Sequence, residues 1–244
     1  MVKNSGENKI FSLKDKLEAA KSYHRSGNLV KAEELYREIL EQDPSNAEAT
    51  HLLGLLAMQV GKFELAKFLI ESAIKLDSKD PVFYVNLGVV YYLLKDFEKA
   101  KQLFKKAIDM DPAYIEAYGN LGKLLAEEDF LEEARKFLVK AVNLGDRDPS
   151  VLITLAEVNY RLGAYSRSEE LCNIMIHELD MEEKQVLEIL VKSLLKQNKA
   201  LEAAPYVEIL IQRWGETPMY KKFKDKIYEY SGIANTSEVG DIKQ

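Results

Sequence analysis

The strongest constraint on this chain is a period. Gly54, Gly88 and Gly122 lie 34 residues apart, and so do Ala32, Ala66, Ala100 and Ala134. Recurrence at a fixed interval of about 20–50 residues means one small unit used repeatedly, and such a unit cannot bury its apolar face alone. Stacking is therefore obligatory, and the product is one elongated body whatever its length. The recurring positions also have a steric logic. Glycine or alanine at the eighth position of each unit, and alanine at the twentieth, let two helices approach closely. Large residues at positions four, seven, eleven and twenty-four fill the space between neighbouring units.

Residues 81–114, PVFYVNLGVVYYLLKDFEKAKQLFKKAIDMDPAY, serve as the template. Tyr84, Leu87, Gly88 and Tyr91 are followed by Ala100, Phe104, Ala107 and Pro112, and a shift of 34 residues refills those positions. The order W/Y-x2-L-G-x2-Y…A-x3-F…P resembles the tetratricopeptide repeat, with Tyr84 where tryptophan is commonest. The resemblance is close over residues 13–182 and looser to about 230. It implies an all-α fold: a right-handed α-solenoid (superhelix) of helix-turn-helix hairpins, closed by a C-terminal capping helix. The first helix of each hairpin would line a concave groove.

The expected organisation follows from the punctuation. Residues 1–12 are polar and expected to be disordered apart from Ile10 and Phe11. Repeats are expected at 13–46, 47–80, 81–114, 115–148 and 149–182, all within one solenoid spanning 13–231. Gly27 allows the left-handed turn that ends the first helix. Ser45 and Glu48 have capping-box spacing. Asp80-Pro81 and Asp148-Pro149 each place a capping aspartate before a proline suited to the first helical position. Repeat five drifts, with Ala156, Ser168 and Cys172 replacing glycine, alanine and an aromatic residue. A degenerate sixth hairpin, 183–216, needs a one-residue insertion. A capping helix, 218–231, carries Tyr220, Phe223, Ile227 and Tyr230 on one face, with Lys221, Lys222, Lys224 and Lys226 turned away. The tail 232–244 is expected to be flexible.

The formal charge of −6 argues against nucleic acid, whose backbone attracts basic stripes. One cysteine, Cys172, rules out an internal disulfide and suits a reducing, cytoplasmic setting. The apolar run from Val82 to Leu94 falls short of the ~20 residues that cross a bilayer, so membrane insertion is not expected. Phosphate-cradling glycine motifs and metal-ligand spacings are absent, so neither a cofactor nor catalysis is expected. His24 and His51 read as surface histidines. Cys172 reads as a buried, inert thiol, and His177 as a partner for the negative end of a helix.

One face departs from the pattern. Positions two, six, nine and thirteen of each first helix oppose the core positions. They are polar in repeat one (Lys14, Glu18, Lys21, Arg25) and in repeat four (Glu116, Asn120, Lys123, Glu127). In repeat three they read Val82, Asn86, Val89 and Leu93, flanked by Val85 and Tyr92, and repeat two adds Leu52 and Leu55. A helix apolar all round is normally covered, either by its neighbours or by a ligand in the groove. In the resembling family, asparagine at position six often holds a ligand's backbone, as in the repeat region of O-GlcNAc transferases; Asn86 and Asn120 match it. The family's carboxylate clamp does not match, since its positions hold His51, Leu55, Asn86, Glu116 and Asn120.

The expected function is a non-enzymatic scaffold or adaptor that binds a protein or peptide partner, helical or extended, in the groove. The expected groove residues are Leu52, Leu55, Val82, Val85, Asn86, Val89, Tyr92, Leu93, Asn120 and Lys123. Self-association and the chain's own Ile10–Phe11 segment are alternative ways to fill it. The alternative functions are a chaperone for secretion or assembly components and a regulatory or substrate-docking subunit of an enzyme acting in trans.

Overall fold

Helix starts and stops are set by short-range chemistry. The computed structural model describes residues 12–231, and among them are thirteen α-helices and no strand. Ile10, Phe11 and the tail 232–244 lie outside the described residues. Ser12 is the N-cap of the first helix: its hydroxyl accepts from the Asp15 amide at 3.1 Å while the Asp15 carboxylate accepts from the Ser12 amide. Ser12, expected to belong to the disordered segment, is instead an ordered helix cap. Asp80 and Asp148 cap their helices ahead of Pro81 and Pro149 as expected. The capping box at Ser45 is not formed. Asn46 takes that role instead, accepting from the Ala49 amide at 2.9 Å, because Ser45 is bound to the Asp43 carboxylate.

The chain divides into two compact units, Met1–Ala117 and Tyr118–Gln244. The first contains α1 (Leu13–Arg25), α2 (Leu29–Gln42), α3 (Ala47–Gln59), α4 (Phe63–Leu76), α5 (Pro81–Leu93) and α6 (Phe97–Met110). Its helices pair as α1 with α2, α3 with α4 and α5 with α6, and each hairpin packs on the next. Helix α7 (Ile115–Glu127) leads into the second unit, which continues with α8 (Leu131–Asn143), α9 (Pro149–Arg161), α10 (Tyr165–His177), α11 (Lys184–Lys196), α12 (Ala200–Trp214) and α13 (Pro218–Ser231). There too, consecutive helices from α8 to α13 pack in order. Both units are stacks of helical hairpins, and no helix of the described residues is long and apolar enough to cross a membrane.

The period is visible in the core. Ala32, Ala66, Ala100 and Ala134 are each fully buried, as is Ser168 in the same position of repeat five. The polar substitute is absorbed by hydrogen bonds: Ser168 donates to the Ala156 carbonyl at 2.8 Å, and Ser193 donates to Ser168 at 3.0 Å. Cys172 is fully buried, and burial pushes its thiol up to about 12, so it is an inert core residue. Helix α13 seats Tyr220 completely and leaves Ile227 only 9% exposed. Its expected apolar face is shorter than the sequence implied, because Tyr230 is 54% exposed. Trp214, at the end of α12, also stays partly open at 38%.

A close helix contact in repeat three lies at Gly88. A methyl group there would stand 2.6 Å from Cε1 of the buried Phe104 ring. Gly88→Ala is therefore expected to lower stability by about 1–3 kcal/mol through overpacking. Combined with Phe104→Leu, the loss should be less than the sum of the two single losses. Urea denaturation of the four proteins checks this.

Candidate functional site

Helices α3 and α5 carry the candidate site in the first unit. On α5, Phe83, Val85, Leu87, Gly88 and Val90 are buried, so this helix is covered along two flanks as well as its core face. What stays accessible is the strip opposite Gly88. Val82, Asn86 and Val89 are half-buried there, and Leu93 is 36% exposed. Tyr92 is half-buried at its edge, its ring 5.6 Å from Phe97 and beneath the Lys95 ammonium. On α3, Leu52 and Leu55 are half-buried. Leu55 and Val82 pack against one apolar cluster around Ile70, Phe83 and Leu87, whereas Leu52 packs against the cluster around Tyr36 and Leu53. Part of the apolar wall is therefore core, and the rest is surface.

Val85 drops out of the expected set. It is 3% exposed and offers nothing to a ligand. Its position is that of His51 one repeat earlier, and His51 shows what this position does. The expectation that His51 is a surface histidine also fails, because its ring is 4% exposed and lies 4.5 Å from the Phe83 ring of the following hairpin. The fifth position of a first helix turns toward the next repeat, which a single helical wheel does not reveal. His24 is likewise engaged, with Nδ1 3.3 Å from the Tyr36 hydroxyl and Nε2 3.0 Å from Gln59 Oε1.

The His51–Asn86 pair organises the strip. Nε2 of His51 is 2.9 Å from Nδ2 of Asn86. An amide nitrogen only donates, so Nε2 accepts and the ring proton resides on Nδ1. Desolvation by burial, only partly offset by the Asp80 and Glu48 carboxylates, pushes His51 down from 6.5 to about 4 and keeps the ring neutral. The bond fixes the Asn86 side chain through its nitrogen and leaves its amide oxygen without a hydrogen bond among the described residues. Asn120 and Lys123 lie on α7 in the second unit, both half-buried. The Lys123 ammonium donates to the Ser150 hydroxyl at 3.0 Å.

A second apolar surface escaped the sequence reading. On α4, Leu65, Phe68 and Leu76 are 40%, 65% and 46% exposed. Their spacing of three and eight residues puts them on one helical stripe. The signal lies in that spacing, on the second helix of a hairpin rather than the first.

Sequence models described as tetratricopeptide repeat match residues 23–85 and 81–114. Residues 23–114 are therefore built of tetratricopeptide repeats. Solved structures agree on the fold. PilF of Pseudomonas aeruginosa superposes with a TM-score of 0.77 at 21% identity, over 88% of this chain and 97% of that one. PilW, described as a widely conserved type IV pilus biogenesis factor, gives 0.73 at 17% identity over 86% and 97%. YrrB, described as a tetratricopeptide-repeat protein with an unusual peptide-binding site, gives 0.66 at 17% identity over 78% and 97%. No curated protein sequence matches significantly.

The buried imidazole makes stability of the repeat protein pH-dependent. In the unfolded chain His51 titrates near its ordinary value, so between pH 6.5 and about 4 the unfolded state takes up a proton that the folded state refuses. The contribution is intact above that window and is lost as pH falls through it. His51→Gln keeps an acceptor for Asn86 without the titration. Relative to the parent, it should lose less stability between pH 7 and pH 4.5, by up to about 3 kcal/mol. Urea midpoints at the two pH values measure this.

Proposed function

We propose that this protein is a non-enzymatic cytoplasmic scaffold that holds a partner polypeptide on the strip formed by α3 and α5. The observation that carries the reading is the strip itself: Val82, Val89 and Leu93 keep apolar surface accessible at helical spacing beside Asn86. Apolar surface grouped this way on a protein usually marks an interaction site. Its spacing fits an amphipathic helix or an extended segment with apolar anchors. The uncommitted amide oxygen of Asn86 supplies an acceptor for a backbone N–H of that segment, and His51 holds it ready at no entropic cost on binding. Leu52 and Leu55 extend the apolar surface onto α3.

The reading is tested by a Val89→Asp/Leu93→Lys double variant, with Leu65→Asp/Phe68→Lys on α4 as its control. After circular dichroism has established that both are folded, each is used to capture partners from lysate. The α5 variant should lose a partner that the parent and the α4 variant retain, with affinity falling at least about tenfold, the effect of 1.4 kcal/mol. A folded α5 variant that retains every partner sinks the reading. The catch also separates the roles: one stoichiometric protein indicates an adaptor, many unfolded clients a chaperone, and an enzyme a docking subunit.

A further inference from the structure

Four lysines without acidic partners surround one cavity of the second unit. It opens where α9, α11 and α13 meet and holds about 430 Å3, within the usual range of about 300–1,000 Å3 for ligand sites. Lys192 and Lys196 come from α11, and Lys222 and Lys226 from α13. Each pair is spaced by four residues, so each sets two like charges side by side on a helix face, where they repel. None of the four makes an ion pair or hydrogen bond among the described residues. Other lysines nearby do: Lys199 binds Glu169 at 2.7 Å, and Lys224 lies 3.7 Å from Glu216. Lys222 and Lys226 are exposed, turned from the apolar face of α13, and stand at the rim of a cavity that α11 supplies from the other side.

The floor is apolar and firmly held. Leu195 is 5% exposed, and Tyr160 and Phe223 are half-buried beside it. Phe223 stacks 6.2 Å from Tyr220, whose hydroxyl donates to Glu188 at 2.7 Å and locks α13 onto α11. Asp225 and Glu229 also line the α13 side, so the rim is not uniformly basic and carries an excess of two positive charges.

We propose that this cavity docks an acidic peptide segment, with a bulky apolar side chain on the Tyr160–Leu195–Phe223 floor and flanking carboxylates on the four lysines. The mixed rim favours a peptide over a nucleic acid or an anionic membrane. A continuous phosphate surface would meet Asp225 and Glu229 as well as the lysines. A peptide can place its few carboxylates beside the lysines and offer backbone N–H groups to the two acids. A concave floor also suits one anchoring side chain better than a flat bilayer. The site is independent of the strip on α3 and α5, so either can fail without the other.

The test uses the full chain and a fluorescein-labelled synthetic peptide, Gly-Ser-Asp-Glu-Asp-Phe-Asp-Glu-Asp-Ser-Gly, followed by anisotropy. Saturable binding is expected, weaker by about tenfold or more with Lys192→Glu/Lys196→Glu, and less weakened with the milder Lys192→Gln/Lys196→Gln. The matched charge control, Lys105→Glu/Lys106→Glu on α6, should bind within about twofold of the parent. Replacing the peptide's phenylalanine by alanine should also cost about tenfold, which general anion attraction would not produce. Undiminished binding by the folded Glu variant, or equal binding of the alanine peptide, overturns the proposal. So does a cavity variant that loses affinity for phosphatidylserine vesicles but not for the peptide.

Discussion

The stack depends on one close contact repeated along the chain. At the eighth position of a first helix, a methyl group would stand 2.7 Å from Ile70 at Gly54, 2.6 Å from Phe104 at Gly88 and 2.6 Å from Leu138 at Gly122. Hydrogen in place of a side chain lets each large residue of the second helix press onto the backbone of the first. Packing at that distance gains dispersion contacts that a wider spacing forfeits. It also fixes the angle at which the hairpin presents its flanks to the next one. Repeat five keeps the contact with different volumes: Ala156 faces the smaller Cys172, and both are fully buried. A larger residue at one position is accompanied by a smaller one at the other, the kind of exchange such cores tolerate.

The turns inside the hairpins obey the same period with a different chemistry. Positive φ occurs at Gly27, Gly61, Lys95, Asp129 and Gly163, each 34 residues after the last, and then at Asn198, one residue later. That extra residue is the insertion the sixth hairpin requires. Glycine takes this conformation cheaply, whereas lysine and aspartate pay about 1–2 kcal/mol for it. Lys95 and Asp129 make contacts that glycine could not. Lys95 lies over the rings of Tyr92 and Phe97 at 5.4 and 5.6 Å, and Asp129 accepts from Arg161 of the next hairpin.

Periodicity made the helices, their pairing and the buried alanines readable from the sequence, because each repeats the same steric demand. The candidate surface was only partly readable. A helical wheel assigns one inward and one outward face, and on that basis puts Val82, Asn86, Val89 and Leu93 opposite the core, although Val82 packs against the apolar cluster around Ile70 and Phe83. It says nothing about the flanks, and a stacked helix has two of them. Val85 and His51 occupy a flank position and are buried for that reason. Lys222 and Lys226 are exposed and turned from the apolar face of α13, as the wheel implies, but the wheel does not show the cavity that they border. Their surroundings come from α11, some thirty residues earlier, and no local pattern on α13 announces what that helix brings.

The use of histidine at position 51 shows how a packing site can also prepare a surface. A buried apolar residue would fill the space against Phe83 without the cost of desolvating an imidazole. It could not, however, accept a hydrogen from Asn86. Held neutral, His51 accepts that hydrogen at 2.9 Å, and the amide is fixed by one end while its oxygen stays uncommitted. A freely rotating asparagine would lose side-chain entropy on meeting a ligand, of order 1 kcal/mol for an ordered side chain. Here that loss is taken during folding, where the bond between two hairpins offsets it. The same bond thus joins the second repeat to the third and presets an acceptor on the strip between them. Disrupting it would loosen the stack and the surface together.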